Sequence, residues 1–211
     1  MGAQLAQMGM GVADTVMAGR YGSEDLAGVA LGSSILWPTL ILFMGIIQAV
    51  TPTVSQLNGS RSYSEIGEVI RQGIWMALFG GAAIFFILNN IGPVYELMRV
   101  DPTAVAIALP YLSAASYGLP ALMVFFCLRF LSDGMGYTRP ALIISVTALA
   151  IKIPINYVLI YGKFGLPELG GVGCGVAQAI VMWLQLFLIL IVVSRERFAP
   201  TNWKSQFSLP Q

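Results

Sequence analysis

Met1–Arg20 reads MGAQLAQMGMGVADTVMAGR, an apolar stretch interrupted by Gln4, Gln7 and Asp14. Its length matches the about 20 residues that a helix needs to cross a membrane. A carboxylate within such a span costs about 2.5–3.5 kcal/mol and usually faces other helices or a wet cavity. The three polar residues recur at helical spacing and share one face. The pattern predicts a cation or proton site at Asp14; the alternative is a polar helix face that only packs against its neighbours.

The composition of the whole chain places it among multi-pass membrane proteins. Of its 211 residues, 57% are hydrophobic and 10% are charged, whereas soluble domains carry about 25% charged residues. The net charge of +1 indicates no surface for nucleic acid. The chain has no histidine, and its two cysteines, Cys127 and Cys174, lie in or beside apolar stretches. We predict neither a disulfide framework nor a cofactor, and no nucleophile–base pair that would indicate an enzyme.

Hydropathy predicts an all-α fold with six membrane spans. They cover residues 1–20, 26–54, 72–91, 104–131, 140–161 and 171–194. Charged residues between them predict polar loops at 58–71 and 92–103. The chain is already apolar at Met1, so we expect the first span to begin upstream of it. Residues 1–194 would form one six-helix unit, and residues 195–211 a polar linker.

The distribution of arginine and lysine predicts the orientation of these spans, because basic loops stay in the cytoplasm. Seven basic residues fall on one face and three on the other. The richer face carries Arg61, Arg71, Arg129, Arg139, Arg195, Arg197 and Lys204, and the poorer face Arg20, Arg99 and Lys163. Both ends of the chain are therefore predicted to be cytoplasmic.

Lys152 lies near the middle of the fifth span, too deep to reach the interface easily. Asn156 follows four residues later on the same helical face, and Pro154 between them frees a backbone carbonyl. The chain thus has one buried acid and one buried base. Pairing of Asp14 with Lys152 is the simplest way to hold both charges in a bilayer, either as a coupling site or as a purely structural ion pair.

Four segments carry a resemblance to a known family. They are QMGMGVADTVMAG at 7–19, PTVSQLNG at 52–59, IPINY at 153–157 and YGKFGLPELGGVGCGVA at 161–177. With them the sequence resembles the N-terminal lobe of a multidrug and toxic compound extrusion (MATE) transporter of the bacterial NorM-type branch, over almost the whole chain.

The resemblance implies one half of a twelve-helix protein, in which two six-helix lobes surround a central cavity in the bacterial inner membrane. It implies export of cationic, amphipathic drugs in exchange for sodium ions or protons, with a polar site at Asp14 and Asn156. Lys152 stands where the family has asparagine, and Gln178 where it often has threonine. Gln7, Thr15 and Gln178 are the supporting polar residues. Because an ammonium near Asp14 would compete with sodium there, we predict that protons are favoured.

Several alternatives remain open at this stage. The chain is predicted to need the second lobe as a partner, along with membrane lipid and small drug-like cations; a six-helix protein that dimerises is the alternative. A lipid-linked-oligosaccharide flippase of the same superfamily would need a basic cavity, for which Lys152 is slight support. A membrane scaffold without transport is the third possibility.

Overall fold

The computed structural model describes residues 2–165 and 167–194, and in that part of the chain the secondary structure is entirely helical. The α-helices are α1 Gly2–Tyr21, α2 Ser23–Ile47, α3 Val50–Gly59, α4 Tyr63–Asn89, α5 Gly92–Leu97, α6 Pro102–Ser116, α7 Leu119–Gly134, α8 Arg139–Ile160 and α9 Gly171–Val193. A short 3₁₀ turn, Lys163–Gly165, follows α8. The predicted all-α class is confirmed, whereas the linker predicted at 195–211 lies outside the described residues.

Among the described helices, four stretches are long and apolar enough to cross a membrane, and a bent pair makes a fifth. The four are Ser23–Gly59, Tyr63–Asn89, Arg139–Ile160 and Gly171–Val193. The fifth joins α6 and α7, whose axes differ by 51°. The predicted first span forms one helix of 20 residues. It is less apolar than the other five because it carries Gln4, Gln7 and Asp14.

The structure corrects several predicted boundaries. The loop predicted at 58–71 is helical from Tyr63 onward, and the loop predicted at 92–103 contains α5. The spans predicted at 26–54 and 104–131 are each broken into two helices. Each break lies just ahead of a proline, Pro52 or Pro120. A proline has no N–H for the carbonyl four residues earlier, which weakens the helix at that place.

Two glycines on α2 and one on α9 bring these helices close to α6. A Cβ at Gly28 would lie 2.5 Å from Cβ of Ile107, and one at Gly32 would lie 2.5 Å from Cδ1 of Tyr111. A Cβ at Gly175 would lie 2.5 Å from the backbone oxygen of Tyr111. Small residues at such crossings let helix backbones approach closely in membranes. Tyr111 is thereby held between α2 and α9.

Carboxylates outside the apolar stretches hold two helix starts. Asp25 accepts a hydrogen bond of 2.6 Å from the backbone N–H of Gly171 at the start of α9. Asp101 accepts hydrogen bonds from the backbone N–H and the hydroxyl of Thr103, at 3.0 and 2.8 Å, at the start of α6. These bonds lower the pKa of Asp101 below its usual value, because they favour the charged form. Both carboxylates satisfy N–H groups that a helix start leaves free.

The helices α1, α8 and α9 pack side by side and share a defined register. The helices α8 and α9 run antiparallel, since Gly173 lies against Leu159, whereas Gln178, later on α9, contacts Lys152, earlier on α8. The helix α1 runs parallel to α8, since Gly9 lies against Leu149, whereas Asp14, later on α1, contacts Asn156, later on α8. This packing aligns the polar positions of three helices that are distant in the sequence.

Candidate functional site

The two charges predicted to lie deep in the spans are in direct contact. Nζ of Lys152 donates a hydrogen bond of 2.7 Å to Oδ2 of Asp14, and Nδ2 of Asn156 donates one of 2.7 Å to Oδ1. Asp14 is 6% exposed, and the other two residues are fully buried. Each carboxylate oxygen therefore has a donor, which a buried charge requires.

Gln178 of α9 completes the group by accepting a hydrogen bond from Nζ of Lys152 through its side-chain oxygen. The ammonium thus joins a carboxylate on α1 to an amide on α9. We call Asp14, Lys152, Asn156 and Gln178 the ion-pair layer. Any change in the charge of Asp14 alters contacts among three helices at once.

The glycine-rich run Gly170–Gly175 lets α9 approach this layer. The spacing of its glycines does not match a nucleotide-binding loop, so the sequence predicts a closely packed helix start instead. The structure confirms this prediction, since α9 begins at Gly171. The run holds the crowded positions Gly173 and Gly175. It also places Sγ of Cys174 4.0 Å from the backbone oxygen of Asp14.

Two of the predicted supporting residues lie apart from the ion-pair layer. Thr15 is exposed, and its hydroxyl donates a hydrogen bond of 3.0 Å to the backbone oxygen of Gly11. Gln7 is half-buried and lies two helical turns before Asp14 along α1. The side chain of Gln4 lies outside the described residues. Of the three supporting residues, only Gln178 contacts the charged pair.

No sequence pattern predicted the other groups that lie near the carboxylate. Cys174 of α9 lies against the backbone of Asp14, and Tyr111 of α6 packs against the neighbouring Gly175. Tyr111 is buried, and its hydroxyl shares a hydrogen bond of 3.2 Å with Ser33 of α2. A tyrosine within an apolar span has no pattern that indicates which helix it faces.

Unpaired polar atoms mark further buried positions. Among the described residues, no group of the protein bonds Oδ1 of Asn156, Oγ of Ser145 or Nε2 of Gln185. Ser145 and Gln185 were not predicted. Their one available signal is spacing: they lie seven residues before Lys152 and seven after Gln178.

Comparison with protein families gives one match, to the family described as MatE, over residues 1–158. The chain is 44% identical to the multidrug resistance protein MdtK of Yersinia pestis, over 96% of this chain and 47% of that protein. The MdtK of Yersinia pseudotuberculosis matches with the same identity and coverage. The chain therefore spans about half the length of the curated relatives it matches.

Solved structures show the same fold. The crystal structure of the eukaryotic MATE transporter AtDTX14 matches with a TM-score of 0.87 at 20% identity, over 96% of this chain and 44% of that one. An outward-facing multidrug resistance MATE family transporter of the MOP superfamily matches with a TM-score of 0.87 at 19% identity, over 100% of this chain and 46% of that one.

Proposed function

Because this chain belongs to the MatE family, a family of transporters and not of enzymes, we propose that it contributes to proton-coupled export of small cationic drugs. The relatives named multidrug resistance protein support this substrate class. The observation that carries the proposal is the buried contact between Asp14 and Lys152, at 2.7 Å. Intramembrane carboxylates of this kind commonly serve ion or proton paths.

The geometry favours protons over sodium as the coupling ion. Oδ2 of Asp14 and the side-chain oxygen of Gln178 both accept hydrogen bonds from the Lys152 ammonium. Oxygens of this type are the ligands that a hard cation needs. A sodium ion would have to displace a charged group that already lies between them. A proton needs only one carboxylate oxygen and adds no bulk.

Protonation of Asp14 gives the switch that coupled transport needs. A neutral Asp14 loses its attraction for the ammonium, and breaking one side of a buried pair costs about 3–5 kcal/mol. That cost favours a second arrangement in which Lys152 finds other partners or water. Two arrangements of α1, α8 and α9 that differ by one bound proton can alternate as the ion binds and leaves.

We propose further that the protein lies in a bacterial inner membrane with both ends in the cytoplasm. The seven-to-three distribution of basic residues supports this orientation. We also propose that a second lobe completes the drug cavity, since the chain spans about half of its curated relatives. The flippase alternative is disfavoured, because the ammonium of Lys152 is engaged by a carboxylate rather than free for a pyrophosphate.

The test is Asp14→Asn in the full-length protein, assayed for drug efflux from vesicles at matched expression. Asparagine cannot carry the proton, so we expect gradient-driven efflux to be lost while membrane insertion is retained. The matched control is Thr15→Ala, one residue along α1 and exposed, which should transport like the wild type. Wild-type efflux from Asp14→Asn would exclude the proposed role.

A further inference from the structure

A second set of polar side chains lies two helical turns from the ion-pair layer. Ser145 precedes Lys152 by seven residues on α8, and Gln185 follows Gln178 by seven on α9. The two helices run antiparallel, and Lys152 contacts Gln178. Seven residues back along α8 and seven residues forward along α9 therefore lead toward the same end of the helix pair. Ser145 and Gln185 therefore lie at one level, about 10 Å from the ion pair.

Gln7 of α1 falls at this level as well. The helix α1 runs parallel to α8, and Gln7 precedes Asp14 by the same seven residues that separate Ser145 from Lys152. Gln7 is half-buried, whereas Ser145 and Gln185 are 0% and 2% exposed. We call Gln7, Ser145 and Gln185 the second polar layer.

The buried members of this layer have unmet hydrogen-bonding capacity. Within the described part of the chain, no protein group bonds Oγ of Ser145 or Nε2 of Gln185. A serine in a helix often bonds the carbonyl four residues back, as Ser194 does with Leu190. Ser145 does not. Burying such groups without partners is costly, and ordered water is their usual partner inside proteins.

An apolar layer separates the two polar layers. Met10, Ala148 and Val181 are all buried and pack together one turn from the ion pair. Ala148 is small and Val181 is branched, whereas Met10 has an unbranched, flexible side chain. Met10 is therefore the member of this apolar layer that can most readily change its conformation.

We propose that the second polar layer binds water and carries protons from Asp14 toward the cytoplasmic end of α1, past the half-buried Gln7. The inference deepens the proposed function and rests on it for the proton's origin and for the orientation of α1. The O–H bond of the protonated Asp14 breaks, and a water molecule in the layer takes up the proton as a hydronium ion. The Asp14 carboxylate then regains its contact with the Lys152 ammonium. No oxidant or further reactant is needed.

Water in the layer can be tested apart from transport, by the reaction of introduced cysteines with a small methanethiosulfonate reagent. Cys127 and Cys174 are first replaced by alanine, and Gln185→Cys is compared with Val181→Cys and Ile189→Cys. All three positions lie on α9, face the interior of the protein and are 0–2% exposed. Thiols react as thiolates, which apolar surroundings suppress, so we expect Gln185→Cys to react at least about tenfold faster than both controls. Equal rates at the three positions would overturn the water layer.

The release of protons through this layer is tested by efflux under an imposed proton gradient. We expect Gln185→Met to slow this efflux at least about tenfold, because relayed proton transfer contributes on that scale or more. The matched control, Ile189→Met, should keep the wild-type rate. Fast labelling of Gln185→Cys with unchanged efflux of Gln185→Met would overturn the role in proton release. A wild type that ignores the proton gradient would refute the proposed function, while the labelling result would still decide whether the layer holds water.

Discussion

Removal of the ammonium from the ion pair should destabilise the protein strongly. In Lys152→Met, the Asp14 carboxylate loses the ammonium but keeps the hydrogen bond from Asn156, and Asp14 remains buried at 6% exposure. A hydrogen bond to a charged group contributes about 1.5–3 kcal/mol. With the unpaired charge included, the expected loss in the free energy of unfolding is about 3–5 kcal/mol.

A double-mutant cycle separates the pairing from the loss of packing. The combination of Asp14→Asn with Lys152→Met leaves no charge in the ion-pair layer, and replacing both partners of a buried pair is often nearly neutral. We therefore expect the double variant to be more stable than Lys152→Met alone. Lys163→Met is the matched control, since Lys163 is exposed, and it should change the free energy of unfolding very little.

The assay is unfolding of the purified protein in detergent, followed by tryptophan fluorescence at neutral and mildly acidic pH. The loss in Lys152→Met should shrink as the pH falls, because a proton can then neutralise Asp14 in place of the ammonium. A loss below about 1 kcal/mol at both pH values, the size of an exposed pair, would refute the reasoning.

Further predictions concern the coupling ion, a helix start and the topology. Lys152→Asn removes the resident cation and should produce sodium-stimulated efflux; unchanged sodium dependence would contradict the competition argument. Asp25→Ala removes the bond to the start of α9 and should lower the free energy of unfolding by about 0.5–2 kcal/mol, measured as above, whereas an unchanged value would mean that water replaces the carboxylate. A cysteine at Ser23 should be labelled from outside by an impermeant reagent and one at Ser60 should not, and the reverse pattern would invert the orientation.

Hydropathy predicted where the membrane helices lie better than where they end. The loops predicted at 58–71 and 92–103 were inferred from charges such as Glu65 and Glu96, yet those residues lie within helices. A membrane helix can continue into water, where its polar turns remain helical but lose the apolar signal. The breaks ahead of Pro52 and Pro120 were not predicted, because the sequence does not show whether packing preserves helix continuity across a proline.

The ion pair could be predicted because a charge in a bilayer requires a partner and only two such charges of opposite sign lay deep in the spans. The positions of Tyr111, Ser145 and Gln185 in the protein interior could not be predicted in this way. Uncharged polar groups cost less to bury, so their presence in a span does not demand a particular partner. Their neighbours depend on the register between helices, which close contacts such as that of Gly173 with Leu159 fix.

The central claim is that protonation of Asp14 couples the ion gradient to drug export. The most direct measurement is drug efflux from vesicles in which a proton gradient and a sodium gradient are imposed separately. We expect efflux to follow the proton gradient, to persist without sodium, and to be lost in Asp14→Asn under both gradients. Efflux that follows the sodium gradient and ignores the proton gradient would contradict the account.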